Sequence, residues 1–277
     1  MNRNEVVCIS GCSSGIGRAL AARLAAQGAI VYAGMRELDA HSSLTGVRPL
    51  QLDVTRADQA EEAMRAIEHE CGRLDVLINN AGVNVIGPWE LIPTEVVRRA
   101  FEVNFFGAVE LTKAALPLMR GQRDGHILMV SSLSALVAPP AGGVYAASKS
   151  ALEAFAESLS YEVRRWNIRV SIVNPGGYAT ALDVKSWRPS VPEGPYAPLT
   201  TSLGAPSAAG AGSAEEAADR IIKVLSEPPG RLRHPLDDTG RRIFHQLRWD
   251  IDREPIARAA SGLGWWLNGA DAEDGQP

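Results

Sequence analysis

Cysteine is scarce in this chain of 277 residues: only Cys8, Cys12 and Cys71 are present, and no two stand at a Cys-x-x-Cys spacing. An odd, scattered set argues against a disulfide framework and against a thiolate zinc site. Cys8 reads as a small core hydrophobe and Cys12 as a filler. The five histidines do not cluster at ligand spacing, so no metal is expected. Long apolar runs are lacking as well, and none approaches the roughly 20 residues that span a bilayer. Met1 to Glu5 leads into a strand-like run without the apolar region of a signal peptide, so a cytoplasmic location and no membrane span are expected. An excess of one charge is missing too. The formal net charge of −4 gives nucleic acid or an anionic surface no electrostatic hold.

What is present is patterned. Hydrophobic residues make up 45% of the chain and charged residues 22%, ordinary values for a globular protein with one large core. Apolar β-branched runs alternate with helical patterns, which predicts a doubly wound α/β fold of about seven parallel strands. The pattern predicts strands at Val6 to Ser10, Ala29 to Gly34, Pro49 to Leu52, Leu74 to Asn79, His126 to Val130, Arg169 to Val173 and Leu232 to Leu236. Helices are expected over Ile16 to Gln27, from a Thr55 cap to Cys71, over Thr94 to Met119 with a bend at Pro117, from the Tyr145 region to Asn167, over Ala214 to Leu225 and over Thr239 to Leu247. One domain over 1–269 is expected. Residues 178–212 are rich in Pro, Ala, Ser and Gly and read as a substrate lid. Residues 270–277, acidic and Gly-rich, read as a disordered tail.

Two motifs carry chemistry. Tyr145 and Lys149 stand four apart, so a phenol and an ammonium share one helix face. A phenol has a pKa of about 10, and bringing it to about 7 takes roughly 4 kcal/mol at about 1.36 kcal/mol per unit. A unit charge at about 4 Å supplies roughly that much at an effective dielectric constant of about 20. The pair is therefore able to act as an acid or base near neutral pH. The second motif, Gly11-x-x-x-Gly15-x-Gly17, joins the first strand to the first helix. Its glycines let backbone approach a pyrophosphate, and the helix N-terminus offers free N–H groups to that anion.

These two motifs, the run Asn79-Asn80-Ala81-Gly82 and Ser132 thirteen residues before Tyr145 together resemble the classical short-chain dehydrogenase/reductase family, in order from Val6 to about Thr180. Ser10 stands where that family usually has threonine, and the hydroxyl is kept. The turn Gly11 to Gly17 with Tyr32-Ala-Gly-Met-Arg36, and the later Arg231-Leu-Arg-His-Pro235, look like the hydroxysteroid and retinol branch. The resemblance implies a Rossmann-type sheet and a catalytic tetrad of Asn104, Ser132, Tyr145 and Lys149. Tyr145 would be the general acid/base, Ser132 would hold the substrate oxygen, Lys149 would also bond the nicotinamide ribose, and Asn104 would bind a water for proton exchange. The cofactor would lie along Gly11, Ser13, Gly15, Ile16 and Gly17, past Asp53, Val54, Asn80, Ala81 and Gly82, to Pro175, Gly176 and Thr180.

The end of the second strand decides the cofactor. Users of NAD place an acidic residue there, whereas this chain has Met35 and Arg36. A guanidinium pairs with a 2′-phosphate, and Ser13 adds a hydroxyl. NADP(H) is expected rather than NAD(H). The expected function is hydride transfer between NADP(H) and a ketone or secondary alcohol, with a lipophilic small-molecule substrate. Trp89, Leu133 to Val137, Val144, Tyr178, Leu182, Trp187 and Tyr196 are candidate pocket walls, some of them ordinary core. A homodimer or homotetramer follows from the family's use of the helices near 94–119 and 145–167. Two alternatives stay open: the same tetrad serving an epimerase or multistep reaction, and an NADP-binding sensor without turnover.

Overall fold

A computed structural model of the chain describes residues 4–38, 44–179, 182, 186–189, 193–199 and 212–246. Seven parallel strands form one sheet in the order β3-β2-β1-β4-β5-β6-β9. They are β1 (Val6–Ser10), β2 (Ile30–Met35), β3 (Val47–Gln51), β4 (Val76–Asn79), β5 (Gly125–Val130), β6 (Ile168–Asn174) and β9 (Arg233–Pro235). A separate short pair, β7 (Tyr178–Ala179) and β8 (Gly212–Ser213), is also parallel. Every residue of β1, β4 and β5 is buried. That is why these strands read as continuous apolar runs: helices cover both faces.

One face carries α2 (Ala57–Cys71), α4 (Gly107–Gln122) and α5 (Gly143–Val163), packed through Ile67, Leu111, Met119 and Leu152. The other carries α1 (Gly15–Ala26) and α6 (Ala214–Ser226), packed through Leu20, Leu24, Ile221 and Leu225. The contact side of α1 is built from Gly17, Ala19, Leu20, Ala21 and Leu24. A last helix, α7 (Asp238–Gln246), lays Ile243 on Leu133 and Val137. Each fully buried leucine of this kind contributes about 1.5–3 kcal/mol.

The chain steps outward from β1 to β2 and β3, then returns to lay β4 on the other side of β1. This reversal opens a crevice at the C-terminal ends of β1 and β4, the place where open α/β sheets hold ligands. The N-terminal ends are fastened instead. Asp75 accepts the Val6 N–H at 2.7 Å and pairs with Arg73, joining the starts of β1 and β4.

Two local expectations are corrected. Thr55 does not cap α2: its hydroxyl turns back to Asp53 at 2.8 Å, and Arg56 occupies the cap without a side-chain bond. The expected C-terminal stop is present, with Gly72 in the left-handed conformation at φ 66°. The long helix from Thr94 is in three parts. It runs as α3 (Thr94–Phe101), one π-helical turn over Glu102–Phe106, and then α4. The irregularity lies at Asn104 rather than only at Pro117, and π turns of this kind are common at functional sites. The expected tail 270–277 and the domain limit at 269 lie outside the described residues, as does most of the expected lid.

Candidate active site

The glycine turn is held by neighbours rather than by its own residues. Gly11 has φ 75°, and a Cβ there would meet the Cα of Ala81 at 2.8 Å. A Cβ on Gly17 would come within 2.4 Å of both the Gly11 carbonyl and Asn80 Nδ2. Asn80 donates from Nδ2 to the carbonyls of Ser10 and Gly11, at 3.0 and 3.2 Å. Ser10 Oγ accepts the N–H groups of Asn80 and Ala81, both at 3.1 Å. The Ser10 hydroxyl thus ties β1 to the loop after β4.

Ser13 is exposed at the turn, and Gly15 and Ile16 open α1 half-buried. Ser14 sits at the cap of α1 without a side-chain hydrogen bond, and no acidic residue stands in the first turn. The helix end is therefore suited to an external anion. Cys12 lies beneath as filler, fully buried, its thiol donating to the Ile9 carbonyl and its pKa pushed up by burial. Cys8, also buried, is pushed up to about 12 by the same cause.

Farther along the crevice, Arg36 is exposed just after Met35. Burial works against the charge on Asp53, but the Thr55 N–H and hydroxyl, then Arg99 and Arg36, hold its carboxyl below the ordinary value. Val54 is buried with its side chain against Gly107, which leaves its backbone as its means of contact. Gly82 brings the two ends of the crevice together. A Cβ there would lie 3.4 Å from Asn104 Oδ1 and 3.6 Å from Lys149 Nζ.

Asn104 is buried and holds the loop after β4 with both ends of its amide. Oδ1 accepts the Val83 N–H at 2.8 Å, and Nδ2 donates to the Val83 carbonyl and to Ser148 Oγ, both at 2.9 Å. Ser148 in turn donates to the Tyr145 carbonyl at 2.7 Å. Asn104 and Tyr145 therefore belong to one bonded cluster through Ser148. From the π turn Asn104 bonds at once to the loop after β4 and to α5.

Lys149 is 3% exposed, and its ammonium donates to the Val130 carbonyl at 2.8 Å. It lies 5.9 Å from the centre of the Tyr145 ring. Burial lowers its pKa to about 8, and the nearby Glu153 carboxylate opposes that fall. Ser132 follows the end of β5 and caps the short turn Leu133–Ala135, its Oγ accepting the Ser134 N–H at 3.1 Å. Ser150 Oγ donates to the Ala135 carbonyl at 2.8 Å and docks that turn on α5. Pro175 is buried after β6, with its carbonyl accepting the Leu133 N–H at 3.0 Å. The Gly176 N–H donates to Asp237 at 2.9 Å. Thr180 lies outside the described residues.

The family model for short chain dehydrogenase matches residues 5–190. The chain belongs to that family. The chain is 41% identical over 178 residues to 3-ketodihydrosphingosine reductase of Bacteroides thetaiotaomicron, covering 64% of this chain and 65% of the relative. It is 41% identical over 193 residues to retinol dehydrogenase 8 of Bos taurus, covering 65% and 61%. The chain thus aligns with just under two thirds of the length of these relatives. A short chain dehydrogenase from Burkholderia cenocepacia, solved in complex with NADP, superposes with a TM-score of 0.75 at 27% identity over 93% of this chain and 97% of that one. The family is one of oxidoreductases, and its solved members include complexes with NADP and with NAD.

Several candidate pocket walls are ordinary core. Val144 is fully buried with Val85, Ile92 and Ala100. Val137 packs on Ile243 in the core beneath α7. Tyr178 packs with the α1 and α6 layer and against Gly212. Trp89 is 55% exposed and abuts Gly143, where a Cβ would strike its indole. Trp187 pairs by backbone with Val85 and exchanges bonds with Asn84 and Ile86, which brings part of the 178–212 stretch onto the loop after β4. Motif reading missed Glu153, Asn174, Arg233 and Asp237. The signal for Glu153 was present, since a carboxylate four residues after Lys149 falls on the same buried helix face.

Proposed function

We propose that this dehydrogenase transfers a hydride between NADP(H) and a ketone or secondary alcohol of lipophilic character, with Tyr145 as the proton donor or acceptor. The observation that carries the reading is the buried Lys149 ammonium, one turn from Tyr145 and bonded to the end of β5. With a pKa near 8, Lys149 is mainly cationic at pH 7, and a cation there favours the tyrosinate. A nicotinamide bound in the crevice supplies the hydride. Ser132 holds the substrate oxygen, Tyr145 gives it a proton in reduction, and Lys149 with Asn104 restores that proton. The uncapped start of α1 receives the pyrophosphate. Arg36, at the edge of β2, receives a 2′-phosphate.

The names of the relatives, 3-ketodihydrosphingosine reductase and retinol dehydrogenase 8, support a bulky lipophilic substrate. The NADP of the Burkholderia structure supports the cofactor. Phe106 at 46% and Tyr161 at 70% exposure support a homodimer or homotetramer, because both lie on the helical segments that the family uses for association. Light scattering reads that state, and a monomer at high concentration refutes it.

The decisive test is Tyr145→Phe assayed by NADPH absorbance against a panel of lipophilic ketones. Turnover falls by at least about 10²-fold, the lower range for a lost general acid, while NADPH affinity holds. Near-wild-type turnover refutes the reading. Product formation without net NADPH consumption would favour an epimerase.

A further inference from the structure

We propose that Glu153, with Arg233 as its counter-charge, is the positioning residue of this site: its carboxylate holds the strand end before Ser132 from behind and sets a negative charge one helical turn from Lys149. The inference rests on the role given to Lys149 above. Glu153 lies one helical turn after Lys149 and is only 4% exposed. Its Oε1 accepts Ser131 Oγ at 2.8 Å and Asn174 Nδ2 at 2.5 Å, and its Oε2 accepts Arg233 Nε at 2.8 Å. Asn174 Nδ2 also donates to the Ser132 carbonyl at 3.2 Å. One carboxylate thus gathers the ends of β5, β6 and β9 onto α5. Ser131 and Asn174 immediately precede Ser132 and Pro175.

Fastening alone does not require a charge. A buried ion pair is a weak stabiliser and is often replaceable by apolar packing. What apolar packing cannot supply is a negative charge one turn below a buried ammonium. Lys149 faces Tyr145 and Glu153 from its own helix. The π turn presents the neutral Asn104, and β5 presents the Val130 carbonyl. From β9, Arg233 reaches Glu153 and also Glu157 at 2.8 Å, so its charge bears on Lys149 through that carboxylate. Glu153 keeps the amine charged, and Arg233 sets how strongly.

The test is a titration of Lys149 in the full chain without cofactor, followed by NMR on protein isotope-labelled at lysine Cε. Lys149→Met assigns the signal. Wild type titrates near 8. Glu153→Gln moves the midpoint down by about one pH unit or more, the scale set by a neighbouring opposite charge. Glu153→Asp, which keeps the charge, returns it to near the wild-type value even where the melting temperature falls. Arg233→Met moves it up. An unchanged midpoint in Glu153→Gln, or a downward shift in Arg233→Met, overturns the proposal. If Glu153→Gln does not fold, Arg233→Met decides: a rise in the midpoint supports the proposal, and an unchanged or lower midpoint overturns it. Failure here with Tyr145→Phe inactive removes only the role of Glu153. Full turnover by Tyr145→Phe removes the hydride-transfer reading and leaves the titration standing.

Discussion

The two ends of the crevice are built by opposite means. At the glycine turn, Gly11, Gly15 and Gly17 offer bare backbone, at Gly11 and Gly17 in close contact with its surroundings, and neighbours supply the order through Ser10 and Asn80. At the other end, Asn104, Ser148, Lys149 and Glu153 are buried polar side chains, each bonded: Asn104 to Ser148, Lys149 to the Val130 carbonyl and Glu153 to Ser131. The first end should tolerate almost no added volume. The second should tolerate changes of size better than changes of charge or of hydrogen-bonding capacity.

Gly17→Ala breaks the comparison most directly on the first side. Its methyl has two polar neighbours at 2.4 Å, one of them backbone. A loss of about 3 kcal/mol, at the upper end for overpacking, is expected in urea unfolding, together with loss of cofactor binding. A stable Gly17→Ala protein would show that the turn has room to spare. On the second side, Asn104→Leu keeps volume but leaves the Val83 N–H and carbonyl without partners. Its cost is about 1–3 kcal/mol, and turnover falls with it. If Asn104→Leu matches wild type in both stability and rate, the bonded cluster is not what orders this end.

Arg36→Asp sharpens the comparison, because it alters charge at the edge of the turn without adding bulk. Loss of a charge-assisted bond worth about 1.5–3 kcal/mol shifts the NADP to NAD ratio of kcat/KM by about 10- to 100-fold toward NAD. An unchanged ratio takes Arg36 out of the site. An effect confined to acid, and absent at neutral pH, is expected far from the crevice, at His126. Burial, then the charges of Arg169 and His234, lowers its pKa to about 3. Its Nε2 bonds Ser171 Oγ at 2.9 Å, and it folds neutral. Below about pH 6.5 the unfolded chain takes up a proton that the folded one refuses. Stability therefore falls as pH drops from about 6.5 toward 3 and is flat for this group above that window. His126→Gln should flatten the acid limb of a melting-temperature curve, and an identical limb would assign it to other groups.

Much of this was legible because its cause is local. Buried parallel strands must be continuously apolar, so Val76-Leu-Ile and the run before Val130 announced themselves. Glycine spacing and the Tyr145–Lys149 interval are equally local. What was illegible depends on partners distant in the chain. Thr55 is drawn from its cap by Asp53. The π turn at Glu102–Phe106 carries no local break, because its cause is the bonding of Asn104 to Val83 and Ser148. Arg233 meets Glu153 across 80 residues of separation, which no periodicity reveals. Val144 and Val137 were apolar candidates whose burial depends on Ile92 and Ile243.

The short pairing of Tyr178 with Gly212 and of Ala179 with Ser213 has a consequence for how this protein could diversify. The chain between leaves and returns through one doorway, and the latch across it is made of backbone. Lengthening a closed loop costs only about 0.6 kcal/mol per doubling. New wording can therefore be written between the hinges without rewriting the sheet on which they hang.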